Sequence, residues 1–171
     1  MIHVIITSFN EPKSTLRAIR SFLDQKTKEE LKITVVDPFP EVQKYIKKNV
    51  NNPKVDFFLD PGEGKSYALN LLIEQLYSKN QEDILIFTDG DVYVSENTLQ
   101  TISEAFKDKK IGCVTGKPVP IEDKSTKYGF WAHLLFEGIH KTRISLSENK
   151  RFFECSGYLF AIRNGIITSF P

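Results

Sequence analysis

Ile84-Leu85-Ile86-Phe87-Thr88-Asp89-Gly90-Asp91 is an apolar run that breaks into two carboxylates separated by one glycine. A continuous run of aliphatic and aromatic residues, with no polar alternation, predicts a strand buried on both faces, here over residues 84–88. Three further runs of this kind, over residues 4–7, 33–36 and 55–59, predict companion strands. Helical patterns separate them. Pro12 stands in the first turn of the first helix, and Leu16, Ile19 and Leu23 share one of its faces. A second helix covers about residues 41–50. A third carries Leu69, Leu72, Ile73 and Leu76 at the i, i+3, i+4, i+7 spacing of a stripe packed on a sheet. A fourth starts near Ser95 as N-cap, with Leu99, Ile102 and Phe106 turned inward. Apolar strands alternating with amphipathic helices predict an α/β domain: a mostly parallel central sheet with helices on both faces. After a strand at 111–115 the pattern changes. Residues 116–154 read as loop-rich with one aromatic segment at 128–139, and residues 158–162 read as a last strand.

The totals agree with one globular domain. The chain has 171 residues, 40% hydrophobic and 26% charged, with a net charge of +1. That charge supplies no global field for nucleic acid. The lysine runs at 26–32, 44–48 and 107–110 read as solvated helix ends and loops. Cys113 and Cys155 lie far apart in apolar contexts, so a reducing compartment and a cytoplasmic location are expected, with the cytoplasmic face of a membrane as the variant. No apolar run approaches the roughly 20 residues that span a bilayer. Residues 1–6 lack a basic lead and read as a strand, not a signal peptide.

Open parallel sheets bind ligands outside the carboxyl ends of their strands. The polar residues there are Thr7-Ser8-Phe9-Asn10-Glu11, Asp37, Asp60 and Asp89-Gly90-Asp91. Two carboxylates flanking a glycine can turn toward one hard cation, Mg²⁺ or Mn²⁺, which in turn binds phosphate oxygens. An acidic group ending the second strand can accept hydrogen bonds from a ribose or base. Gly62-Glu63-Gly64-Lys65-Ser66 opens the third helix and partly resembles a P-loop, but Leu59 stands where its first glycine belongs. His133 and His140 are seven residues apart and form no metal-ligand spacing with the cysteines. The segment Phe130-Trp131-Ala132-His133-Leu134-Leu135-Phe136 can serve as core, as an acceptor wall or as a membrane-surface element, and the sequence leaves these open.

Taken together, these residues resemble the family 2 inverting glycosyltransferases, which have the GT-A fold, a Rossmann-like three-layer sandwich. Val4-Ile5-Ile6-Thr7-Ser8-Phe9-Asn10-Glu11 looks like that family's opening strand, and Val35-Val36-Asp37 like its second. Gly64-Lys65-Ser66-Tyr67-Ala68-Leu69-Asn70 is similar to its Gly-Lys-x-x-Ala-Leu-Asn helix start. Asp89-Gly90-Asp91 resembles its Asp-x-Asp motif, and Glu154-Cys155-Ser156-Gly157 with Arg163 its later stretch on the acceptor side. The resemblance implies that Thr7, Phe9, Glu11, Asp37, Lys65 and Asp89 surround the donor nucleotide. It implies that Asp91, with Asp89, holds Mg²⁺ or Mn²⁺, and that Gly157 lies near sugar and acceptor. The implied partners are a UDP- or GDP-sugar and a saccharide or lipid-linked acceptor hydroxyl.

The chain departs from the family in two places. Asp37 is followed by Pro38-Phe39 instead of a second Asp and Gly, and the sequence stops at Pro171, before the place where the family keeps its general base. Glu137 and Glu154 are present, yet spacing singles out neither as that base. We therefore expect one domain over 1–171: a nucleotide-binding part of about 1–116 and the incomplete start of an acceptor-binding part over about 117–171. The catalytic base and any membrane anchor would lie beyond Pro171. Alternatives are a nucleotide-sugar-binding fragment without catalysis, a nucleotidyltransferase and a P-loop-like nucleoside triphosphatase.

Overall fold

A computed structural model describes residues 1–78, 80–148 and 155–171. In chain order the elements are β1 (Ile2–Thr7), α1 (Pro12–Leu23), β2 (Leu31–Asp37), α2 (Pro40–Asn49), β3 (Val55–Leu59), α3 (Lys65–Leu76), β4 (Ile84–Asp89), α4 (Thr98–Ala105), β5 (Cys113–Thr115), α5 (Lys127–Glu148) and β6 (Leu159–Arg163). The strands form one six-stranded sheet in the order β3-β2-β1-β4-β6-β5. β1 to β4 run parallel, and β6 runs antiparallel to both β4 and β5.

Residue alternation explains the layers, because successive strand side chains face opposite ways. Val4, Ile6, Ile33, Val35, Ile84 and Ile86 pack against Leu16, Ile19 and Phe22 of α1, Val42 and Ile46 of α2, and Leu99 and Ile102 of α4. Ile5, Val36, Leu85 and Phe87 face the other way, onto Ala68, Leu69, Leu72 and Ile73 of α3. Helices thus cover both faces, and the expected three-layer sandwich with a mostly parallel sheet is present. The chain winds outward from β1 to β3, then returns to lay β4 on β1's other side. That reversal opens a crevice between the carboxyl ends of β1 and β4, where Thr7 lies beside Asp89 in register.

Two expectations are corrected. The fourth helix begins at Thr98, not at Ser95, because Asn97 ahead of it is left-handed at φ 64° and cannot continue a helix back to Ser95. Ser95 instead closes the preceding turn, its carbonyl accepting from the Thr98 amide and hydroxyl. Residues 127–148, which read as mostly loop, form the 22-residue α5. Its apolar residues are not gathered on an inward face: Tyr128, Phe130, Trp131, Leu134 and Leu135 are all exposed. Without segregation of polar from apolar positions, periodicity carries no helical signal. The core reading of the segment 130–136 fails for Phe130, Trp131, Leu134 and Leu135. Among the described residues no helix is long and apolar enough to cross a membrane.

His3 on β1 is 2% exposed, with Nε2 2.7 Å from Thr34 Oγ1. Burial is the main cause that pushes its pKa down from 6.5 to about 4, helped by Lys32 and opposed by Asp56. The depressed value means that the folded state refuses a proton which the unfolded chain accepts. Stability is therefore full above pH 6.5 and falls between pH 6.5 and 4. We expect the wild type to lose about 2 kcal/mol between pH 7 and 5 from this group alone. Urea unfolding of wild type and His3→Gln at both pH values checks it, since the variant should lack that part of the slope.

Candidate functional site

The crevice is an open cleft of about 370 Å³. One wall is the carboxyl end of β4 with Asp89, Gly90 and Asp91; the floor is Thr7, Ser8, Phe9 and Glu11 at the end of β1 and just beyond it; the far wall is the loop from Asp60 into α3. Thr7, Phe9, Glu11, Lys65, Asp89 and Asp91, six positions expected at the site, all line it.

Asp89 is the centre of its polar contacts. Its Oδ1 accepts from Thr7 Oγ1 at 3.0 Å and from the Lys65 ammonium, which reaches over from the far wall. Gly90 turns the chain where there is no room for a side chain. A Cβ there would stand 2.9 Å from Thr15 Oγ1 and 3.0 Å from Ser8 Cβ. That tight turn leaves Asp91 exposed at the cleft. Lys65 is the first residue of α3, and Gly64 before it has φ 106°, a conformation L side chains rarely adopt. The helix N-terminus therefore opens on the cleft and favours an anion there.

Asp37 stands behind the wall, not in it. It is fully buried and does not line the cleft. Its Oδ2 accepts from Ser8 Oγ at 2.6 Å and from the Asn10 amide at 3.0 Å, and its Oδ1 accepts from the Phe39 amide at 2.8 Å. In this structure all three contacts are to the protein's own loops. The Thr15 hydroxyl, 2.8 Å from Ser8 Oγ and 2.7 Å from the Glu11 carbonyl, extends the network to α1. Asn10 sits in the left-handed region at φ 56°, and Phe9, 69% exposed, packs edge-on against Phe39 with ring centres 5.1 Å apart. Sequence reasoning assigns no role to Ser8 or Thr15. The signal for Ser8 is strand register, since Thr7 pairs with Val36 and so sets Ser8 next to Asp37.

The motif residue Asn70 is also structural. Its amide donates to the Phe170 carbonyl at 3.0 Å, and its Oδ1 accepts from the Phe170 amide at 2.6 Å, holding the last segment on α3. On the expected acceptor side, Gly157 is exposed just before β6, next to Tyr158, whose carbonyl accepts from Thr88 Oγ1 at 2.7 Å. Gly157 therefore lies at the same sheet edge as Asp89. Arg163 does not. Because β6 is antiparallel, it pairs with Ile84 at the opposite end of β4. Its buried guanidinium donates to the carbonyls of Ile111, Gln81, Phe106 and Asp108. Glu154, quoted with Gly157, lies outside the described residues. Glu137 is paired with Lys117 Nζ at 2.7 Å, and that contact holds its carboxyl below the usual range, which weakens it as a base. His133 Nε2 meets the Glu122 carbonyl at 2.9 Å. Cys113 and Cys155, distant in sequence, come together with Sγ atoms 2.8 Å apart, because β5 pairs with β6. Both are free thiols.

The donor chemistry fits a divalent cation. Among the described residues no group of three or more His, Cys, Asp or Glu gathers as a cation cage. Asp89 and Asp91 are two carboxylates on one open cleft, and the protein's own ammonium already rests on one of them. Mg²⁺ commonly takes one or two protein carboxylates and completes its shell with phosphate oxygens and water.

Residues 3–169 match glycosyl transferase family 2. Among curated proteins none matches the chain. Of solved structures, TarS 1–349 of S. aureus is similar at 22% identity and a TM-score of 0.49, over 73% of this chain and 40% of that one. The same S. aureus protein in complex with UDP-GlcNAc is similar at 20% identity and a TM-score of 0.50, over 73% and 38%. The chain thus spans under half the length of these structures, and the likeness to the UDP-GlcNAc complex concerns the fold alone.

Proposed function

The chain belongs to glycosyl transferase family 2, and from that premise we propose that its cleft binds a nucleoside-diphosphate sugar with a divalent cation, for transfer of the sugar to an acceptor hydroxyl. The observation that carries this reading is the convergence of Thr7, Phe9, Glu11, Lys65, Asp89 and Asp91 on one crevice at the sheet's switch point. The exposed ring of Phe9 offers a base a stacking face. Lys65 and the α3 N-terminus receive the diphosphate. Asp89 and Asp91 hold Mg²⁺ or Mn²⁺, which neutralises the charge that gathers on the leaving diphosphate. Asp37 serves the nucleotide indirectly, by fixing the loop that carries Phe9 and Asn10. Gly157 lies at the same edge, and a Cβ there would meet nothing within 4 Å among the described residues, which suits a place on the acceptor side. The division into a nucleotide part of about 1–116 and an acceptor part of about 117–171 belongs to this proposal. So does inversion at the sugar carbon. UDP is the first candidate nucleotide, since TarS was solved with UDP-GlcNAc, and GDP the second.

Calorimetric titration with UDP, GDP and ATP, each with and without Mn²⁺, tests the reading. A diphosphate should bind in a Mn²⁺-dependent way, and Asp91→Ala should weaken that binding about tenfold or more. Metal-independent binding, or ATP preferred over both diphosphates, would sink it.

A further inference from the structure

Lys65 stands where an ammonium has reason to move. It is the first residue of α3, whose first turn holds no acidic residue, and a helix N-terminus disfavours a cation. Its side chain leaves that end, crosses the cleft and rests on Asp89 Oδ1, the oxygen that also accepts from Thr7. The side chain is 47% exposed, so no packing fixes it there. Asp89 in turn shares the cleft with Asp91, the partner carboxylate of the metal reading. An ammonium resting on Asp89 repels a divalent ion at the same carboxylate and competes with it for that charge.

We propose that Lys65 is a resident counter-ion that occupies Asp89 while the cleft is empty and moves to the diphosphate when metal and nucleotide arrive together. This rests on the metal–nucleotide reading above and adds an order to it. Bare metal meets an occupied carboxylate. Metal accompanied by a diphosphate brings the anion that draws Lys65 away, toward the α3 N-terminus where negative charge is already favoured. The cleft thereby selects the metal–nucleotide complex over free cation.

Mn²⁺ binding followed by the electron paramagnetic resonance signal of the free ion tests this on wild type, Lys65→Met and Lys65→Arg, with circular dichroism to verify folding. Without nucleotide, Lys65→Met should bind Mn²⁺ about two- to fivefold tighter than wild type, the range expected for releasing an exposed ion pair. With saturating UDP the order should reverse, since the variant lacks the ammonium that meets the diphosphate. Lys65→Arg should follow wild type in the nucleotide-free titration. Equal or weaker Mn²⁺ binding by nucleotide-free Lys65→Met overturns the counter-ion role. If wild type still binds Mn²⁺ with UDP, the metal–nucleotide reading survives that failure. If folded wild type binds no Mn²⁺ even with UDP, both fall.

Discussion

Asp37→Ala should lower the stability of the domain by about 3–5 kcal/mol and abolish nucleotide binding with it. The carboxylate is fully buried and accepts from Ser8 Oγ and from the amides of Asn10 and Phe39. Hydrogen bonds to a charged acceptor contribute about 1.5–3 kcal/mol each, and a buried donor left without one costs about 1–3 kcal/mol. Alanine takes the acceptor from three donors at once, two in half-buried residues and one in exposed Asn10, where water makes up part of the loss, and the remainder is still a large share of the roughly 5–15 kcal/mol that holds a domain folded. Binding fails for a second reason. The segment that carries Phe9 and Asn10 is held in place by this group, and Asn10 adopts a left-handed backbone that needs support. Urea unfolding and calorimetry at a temperature where the variant remains folded measure the two effects. A variant of wild-type stability that binds nucleotide poorly would mean that Asp37 touches the ligand, and the positioning role would be wrong.

Arg163→Met should produce the opposite split: a similar loss of about 3–5 kcal/mol in stability with nucleotide affinity unchanged within about twofold in the cold. The guanidinium joins the carbonyls of Phe106, Asp108 and Ile111, which follow α4, to that of Gln81 ahead of β4. It also lies over the Phe106 ring, 5.0 Å from its centre. Methionine fills the apolar part of this space and satisfies none of the carbonyls. A lysine side chain could not replace the fork, since an ammonium is a point donor, so Arg163→Lys should recover only part of the loss. Thermal unfolding and a nucleotide titration of the same samples check both halves. A marked loss of affinity in folded Arg163→Met would return this residue to the ligand side of the sheet.

These two residues also mark where sequence reading succeeds and where it stops. β4 is legible because it is buried on both faces, which imprints a continuous apolar run ending in the carboxylates of the cleft, half-buried Asp89 and exposed Asp91. α3 is legible because only one of its faces is covered. Arg163 is misplaced by sequence because periodicity records burial and not strand direction, and the antiparallel turn of β6 carries its far end away from the cleft. Asp37 reads as a ligand group because a carboxylate at a strand end has the same letter whether it points into the crevice or behind it. The register of β2 on β1, which puts Ser8 and the Asn10 amide within reach of Asp37, is what the letter alone does not carry. α5 escapes a sequence reading because its exposed aromatic residues mimic no amphipathic pattern. The meeting of Cys113 and Cys155 depends on β5–β6 pairing across 42 residues, a separation that local patterns do not encode.

The buried carboxylate has one more effect, on the folding equilibrium itself. A chain in which β2 has not yet docked beside β1 has no Asp37 beneath Ser8 and Asn10, hence no formed loop at the cleft floor. Partly assembled forms are therefore blind to the ligand, and only the completed sheet can respond to it. Any molecule the cleft accepts would act as a folding aid: it withdraws native chains from the pool and leaves misassembled ones to be corrected or degraded.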